Sequence, residues 1–172
     1  GYDIADYYNI NPEYGAMDDF KAILDGAHAR GMKIIMDLVV NHTSNEHEWF
    51  KKSAAKDPKY KDYYIWRPGR GKDGKKFPNN WMSTFPGNAW EWNEERGEYY
   101  LHLFAVEQPD LNHDNPAVRE EVKKVMKFWT SSPTSASAKG CPTAFPSPSC
   151  AAWSIIPPVP TSTSISWNTG RW

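Results

Sequence analysis

The sequence has almost no net charge, little cysteine and no long apolar run. Its 20 Lys and Arg are set against 21 Asp and Glu, a formal net charge of −1 over 172 residues. So close a balance leaves no electrostatic footprint for nucleic acid or for a membrane surface. The two cysteines, Cys141 and Cys150, both lie near the C-terminus. They form no disulfide framework and suit a reducing compartment, so a cytoplasmic location is expected. No apolar stretch approaches the roughly 20 residues that span a bilayer. No signal-like segment is present from Gly1 onward.

One lack is local. From Thr130 to Trp172 there is no Asp and no Glu, and the only charges are Lys139 and Arg171. Ser, Thr, Pro and Ala dominate this stretch, and it has no amphipathic period. Its composition is that of a disordered linker, yet it carries Trp153, Trp167 and Trp172. What is abundant is aromatic side chain: 15 %, with nine Trp and nine Tyr. Flat rings stack on sugar faces, and they equally fill an aromatic core; composition does not separate the two.

The rest of the chain is arranged around Met32 to Ser44, MKIIMDLVVNHTS. The apolar, β-branched run Ile34 to Val40 is broken only by Asp37. It predicts a strand buried on both faces in a parallel sheet, ending at Asn41-His42. Before it, Met17 to Arg30 predicts an amphipathic helix with Met17, Phe20, Ile23, Leu24 and Ala27 on one face. Asp18 and Asp19 lie in its first turn, His28 and Arg30 in its last, and Gly31 stops it. Helix, glycine and buried strand make the second half of a βαβ unit. The strand expected ahead of the helix is missing or lies upstream of Gly1.

Beyond Ser44 the pattern predicts a helix over Asn45 to Ala55, capped by Ser44 or Asn45. Short strands are expected at Asp62 to Trp66 and Glu98 to Phe104, with a Gly- and Lys-rich loop over Arg67 to Asn80 between them. Ala117 to Trp129 predicts a helix with Val118, Val122, Val125, Met126 and Trp129 on its apolar face. Three motif-like runs carry no chemistry. Gly69 to Lys76 has phosphate-loop spacing, but Lys76 stands where Ser or Thr should hold Mg²⁺, and prolines flank the loop. His47-Glu48 opens a zinc-protease pattern that Lys51 breaks. The basic loop beside Trp66 and Phe77 is balanced by acids elsewhere.

Several of these stretches carry a family likeness. GYDIADY, DLVVNHTS, NNWMSTFPGNAW, QPDLN and MKFW occur in the order found in glycoside hydrolase family thirteen, the α-amylase superfamily. The chain resembles its oligo-1,6-glucosidase and α-glucosidase group from Gly1 to Trp129. The resemblance implies an α/β fold, a fragment of a (β/α)₈ TIM barrel that needs about 250 residues when whole. Residues 1–43 would be partial barrel (second βα unit and third strand), 44–115 an inserted subdomain, and 116–129 a barrel helix. Residues 130–172 would be a non-homologous tail, disordered or translated out of frame. By resemblance His42 hydrogen-bonds a hydroxyl of the sugar at the cleavage point, and Tyr2 stacks on the terminal glucose. Phe85 lines the pocket and Gln108 lies near the sugar. Asp37 and Asn41 are structural neighbours of the site. The counterpart of Asn41 binds calcium in the amylase branch; the glucosidase branch often lacks that site, so no metal or cofactor is expected. The family usually has Trp where this chain has His113.

The implied activity is release of terminal α-linked glucose from oligosaccharides with retention of configuration. That chemistry uses two carboxylates, a nucleophile and a general acid. In the family they follow the fourth and fifth strands, and Asp3, Asp37 and Glu107 match neither. The chain is therefore expected to lack the catalytic pair. The expected partner is an α-glucosidic oligosaccharide, with no nucleic acid and no membrane. Alternatives are a trehalose-active or other α-glucan enzyme of the superfamily, or a sugar-binding module without catalysis. Displacing plausible codons for Pro133 to Ala138 by one frame can yield Asp-Val-Gly-Phe-Arg, resembling the family's next strand. The DNA sequence tests this: the tail should encode further family motifs in another frame, and their absence from both frames would end the shifted-frame reading.

Overall fold

The computed structural model describes residues 1–131. The tail readings for Ser132 to Trp172 lie outside the described residues. Three helices and three strands follow the order α1 (Met17–His28), α2 (Glu48–Ala54), β1 (Trp66–Arg67), β2 (Trp90–Asn93), β3 (Glu98–Leu101) and α3 (Pro116–Ser131). The strands form one antiparallel sheet in the order β1-β3-β2.

Helix α1 begins where the Asp19 carboxylate accepts a hydrogen bond from the Ala16 N–H at 2.8 Å. It ends as the glycine predicts. Gly31 adopts φ +72°, its N–H bonds to the His28 carbonyl, and the Met32 N–H bonds to that of Ala27, both at 2.9 Å. This paired closure needs a left-handed residue, which glycine adopts without a Cβ penalty. Helix α2 starts later than predicted. His47 is its cap, Nδ1 accepting the Trp49 N–H at 3.0 Å, while Ser44 Oγ instead accepts the Glu46 N–H at 3.1 Å. Strand β1, Trp66–Arg67, shares only Trp66 with the expected Asp62 to Trp66, whereas β3, Glu98–Leu101, lies within the expected Glu98 to Phe104, and the unpredicted β2 pairs with β3.

The largest departure is the run that looked like a doubly buried strand. Residues 33–40 form no strand among the described residues, and Met32, Ile35, Met36 and Leu38 are exposed, Ile35 to 90 %. A parallel strand takes its backbone partners from neighbours on each edge. The described residues place none beside this run, so Ile35, Met36 and Leu38 stay exposed while Ile34, Val39 and Val40 are only half-buried. Asp37 is exposed too, with no side-chain partner among the described residues.

The core is aromatic and centred on Phe50. Its ring stacks on Trp66 at 5.5 Å and meets Tyr64 and Tyr100 edge-on, each at 5.1 Å. Trp66 is fixed further. Its indole N–H donates to Ser53 Oγ at 2.9 Å, and the Arg96 guanidinium covers its face at 4.4 Å. Arg96 also pairs with Glu98 at 2.6 Å and donates to the Lys61 carbonyl at 2.9 Å, joining α2, β1 and the β2–β3 hairpin. Helix α3 buries Val118 and Val125 in the same cluster. Its Trp129 indole N–H donates to the Tyr7 carbonyl at 2.7 Å, returning the helix to the N-terminal segment.

Replacing a buried ring costs its transfer energy plus that of the cavity left behind. Phe50→Ala should destabilise by about 3–5 kcal/mol, read as a lower urea midpoint. Ile35→Ala should move that midpoint little, because the Ile35 side chain already faces water.

Candidate functional site

Two stretches far apart in sequence build the site. Asn41 to Asn45 runs beside Glu107 to Leu111, with His42 and Asp110 as an isolated antiparallel bridge. Leu111 N–H donates to Asn41 O at 3.0 Å, Thr43 N–H to Pro109 O at 3.3 Å, and Asn45 N–H to Glu107 O at 2.9 Å. Asp110 N–H in turn donates to Leu101 O at 2.9 Å, at the end of β3. Tyr7 braces the other side; its hydroxyl lies 2.7 Å from Val39 O and 3.2 Å from His42 O.

His42 is buried. Its Nε2 lies 2.9 Å from Tyr2 O, and its Nδ1 lies 3.3 Å from Asn41 Nδ2. The Phe104 ring covers it at 5.3 Å. Phe85, half exposed, belongs to a loop tied to the same place. Ser83 Oγ donates to Phe104 O at 2.6 Å and accepts the Phe85 N–H at 3.1 Å, and Thr84 N–H donates to Leu103 O at 2.8 Å. Gln108 closes the 102–110 loop, its Oε1 accepting the Ala105 N–H at 3.0 Å. Tyr2 joins through its carbonyl, while its ring is 62 % exposed. Tyr2, His42, Phe85 and Gln108 are thus linked through one loop, with Asn41 beside them and Asp37 apart. His113, where the family usually has Trp, has Nε2 2.7 Å from Val40 O. A ring N–H donates there, and an indole also offers a ring N–H.

Asp110 was not singled out in the sequence, and His47 was noted only in a broken zinc-protease pattern. Asp110 is 4 % exposed, with Oδ1 accepting from Asn41 Nδ2 at 3.2 Å and from Leu103 N–H at 3.4 Å. Burial pushes its carboxyl up to about 6, against the pull of those two hydrogen bonds. The available signal was an acid between Pro109 and Leu111 in the motif already noted. His47 is buried against Tyr7 and Trp49. Burial lowers it to about 4, opposed by the Asp6 and Glu48 charges. Histidine is an uncommon cap, so propensity pointed to its neighbours.

Among the described residues, no group of three or more His, Cys, Asp or Glu is placed to hold a metal ion. None of their helices is long and apolar enough to cross a membrane. A cleft of about 390 Å³ is lined by Arg67, Arg96, Glu98 and Asp114 among others, and includes none of Tyr2, His42, Phe85 or Gln108.

Asp110 and His47 titrate over one window with opposite effects. Asp110 has a raised folded value, so its contribution to stability is present below pH 4 and lost as pH rises through about 6. His47 has a depressed folded value, so its contribution is present above its ordinary value of 6.5 and lost as pH falls through about 4. Between pH 7 and 4, Asp110→Asn should lose stability relative to wild type, and His47→Gln should gain it. Each change should be about 2 kcal/mol, measured by urea unfolding at the two pH values.

The alpha-amylase catalytic domain model matches residues 1–136. Oligo-1,6-glucosidase of Parageobacillus thermoglucosidasius is 61 % identical over 130 residues, which cover 75 % of this chain and 23 % of that protein. The crystal structure of Bacillus licheniformis trehalose-6-phosphate hydrolase aligns with TM-score 0.72 and 55 % identity, covering 76 % of this chain and 23 % of that one. Trehalulose synthase MutB from Pseudomonas mesoacidophila aligns with TM-score 0.71 and 49 % identity over the same shares. The chain spans about a quarter of the length of these relatives. In them the matched segment is part of an α-amylase-type catalytic domain, the TIM-barrel family. By the extent of that match, this chain belongs to the alpha-amylase catalytic domain family of glycoside hydrolases.

Proposed function

We propose that the chain is a segment of an α-glucosidase that releases terminal α-linked glucose from oligosaccharides with retention. The observation that carries this is the 61 % identity to an oligo-1,6-glucosidase. The gathering of Tyr2, His42, Phe85 and Gln108 round one loop supports it. In this reading residues 44–115 are an inserted subdomain walling one side of a terminal-glucose pocket. The Tyr2 ring stacks on the sugar and Phe85 limits the pocket. Gln108, its Oε1 taken by Ala105, keeps its amide NH₂ for a hydroxyl. His42 donates from Nε2, where the Tyr2 carbonyl now accepts. A trehalose-active enzyme is the second reading, favoured by the 55 % identity to the trehalose-6-phosphate hydrolase. The setting proposed is cytoplasmic, and no metal takes part.

Binding groups position a sugar but neither protonate the leaving oxygen nor capture the anomeric carbon. Those steps need two carboxylates about 5 Å apart, one protonated and one ionised. No acid in the chain matches the family's pair, and Thr130 to Trp172 contains none. The 172-residue chain is therefore proposed to be inactive alone. Purified chain should release no glucose from maltose, isomaltose or an aryl α-glucoside. A polypeptide extended both upstream of Gly1 and after Trp129 to the relatives' full length should turn these substrates over. An extended polypeptide that folds but leaves all three intact would overturn the α-glucosidase reading, and comparable turnover by the 172-residue chain would overturn its inactivity.

A further inference from the structure

We propose that Asp110 is a positioning residue for His42, fixing through the Asn41 carboxamide the imidazole tautomer that carries its proton on Nε2. His42 then meets a ligand as an N–H donor and recognises an oxygen lone pair, such as that of a sugar hydroxyl. The ligand part rests on the reading of His42 as a sugar contact; the tautomer part does not.

Asn41 Nδ2 has two hydrogens and two acceptors. Asp110 Oδ1 lies 3.2 Å away and His42 Nδ1 3.3 Å away. A carboxamide can turn over and exchange its nitrogen and oxygen. Turned over here, it would set its own oxygen against the Asp110 carboxylate, which when ionised has no hydrogen to give. Asp110 therefore keeps Nδ2 inward. An N–H aimed at Nδ1 requires a lone pair there, and a neutral imidazole with that lone pair carries its proton on Nε2. Nε2 is 2.9 Å from Tyr2 O, an acceptor that the same tautomer satisfies.

Asp110 is held well enough to act as the fixed end. Its backbone N–H is bonded to Leu101 O, and Leu103 N–H approaches Oδ1 at 3.4 Å. The order of influence runs from a buried carboxylate to a carboxamide to a ring, across 69 residues of sequence. Asp110 acts at Nδ1 and the Tyr2 carbonyl at Nε2, so the two constraints can be separated by substitution.

The test is long-range ¹H–¹⁵N spectroscopy of the histidine rings in the ¹⁵N-labelled 172-residue chain at about pH 8, where an ordinary imidazole is neutral. His42 is assigned by the signals lost in His42→Gln. Wild type should show a lone-pair-bearing Nδ1 and a protonated Nε2. In Asp110→Ala the freed carboxamide can turn over. The Nδ1-protonated population should then rise roughly fivefold, the change that one ordinary hydrogen bond makes. Asp110→Asn preserves the shape of the side chain, can pair with Asn41 in either sense, and should shift both ring nitrogens in the same direction. Asn41→Asp places an acceptor against Nδ1 and should draw a proton there. If Asp110→Ala and Asp110→Asn keep the wild-type ring signals within a folded amide spectrum, the Tyr2 carbonyl alone sets the tautomer and the proposal is overturned. Should Asp110→Ala not fold, Asp110→Asn and Asn41→Asp decide it in the same way. No sugar is present, so failure of the α-glucosidase reading would leave the result standing.

Discussion

The described structure depends on the alignment of Asn41 to Asn45 with Glu107 to Leu111. Among the described residues these backbone bonds hold the end of the apolar run on one side, and the Ser44 N–H bond to Ile4 O at 2.9 Å holds it on the other. Everything near His42 follows from them. They bring the Phe104 ring over the imidazole and Asp110 within reach of Asn41, and they present the backbone that Ser83 grips. Closing a loop of this length costs conformational entropy that rises only slowly with its span. The aromatic cluster round Phe50 supplies the burial that offsets it, since Tyr64 in that cluster also bonds Thr43 at 2.7 Å.

The cluster and the site therefore share residues rather than merely adjoining. Tyr7 packs in the core while its hydroxyl faces two carbonyls of the apolar run's end. Thr43 is fully buried between His42 and Ser44. The high aromatic content is divided between the core and the surface. Phe50, Tyr63, Tyr64 and Trp66 are core, whereas Tyr2, Trp81 and Phe85 are exposed.

Local signals were read well where local physics decides. Helix α1 and its glycine stop depend on nearby residues, and α3 carries a clear apolar stripe, so both were legible. Helix α2 was displaced because a buried histidine replaced the expected cap. Strand β2, WEWN, was missed: its alternation is brief and is fixed by the partner β3. The Ile34 to Val40 run shows the opposite failure. Its pattern states what environment the residues suit, and a sheet exists only when other strands supply that environment. Of the site, His42, Phe85 and Gln108 came from motif likeness, and their linkage through one loop required coordinates. Asp110 stayed hidden because its importance lies in a partner 69 positions away, and no pattern within QPDLN reports that distance.

That separation has a consequence for how the protein comes into being. A ribosome releases the chain from its N-terminus, so Tyr2, Asn41 and His42 emerge well before Asp110. Until the second stretch arrives, the carboxamide lacks the carboxylate that faces it, while the imidazole's Tyr2 carbonyl partner is already made. The Asp110 contact with Asn41 can form only once the loop after the hairpin that ends at Leu101 lies across the earlier segment. A nascent chain that ends before Asp110 therefore holds Asn41 and His42 without the carboxylate that faces the carboxamide.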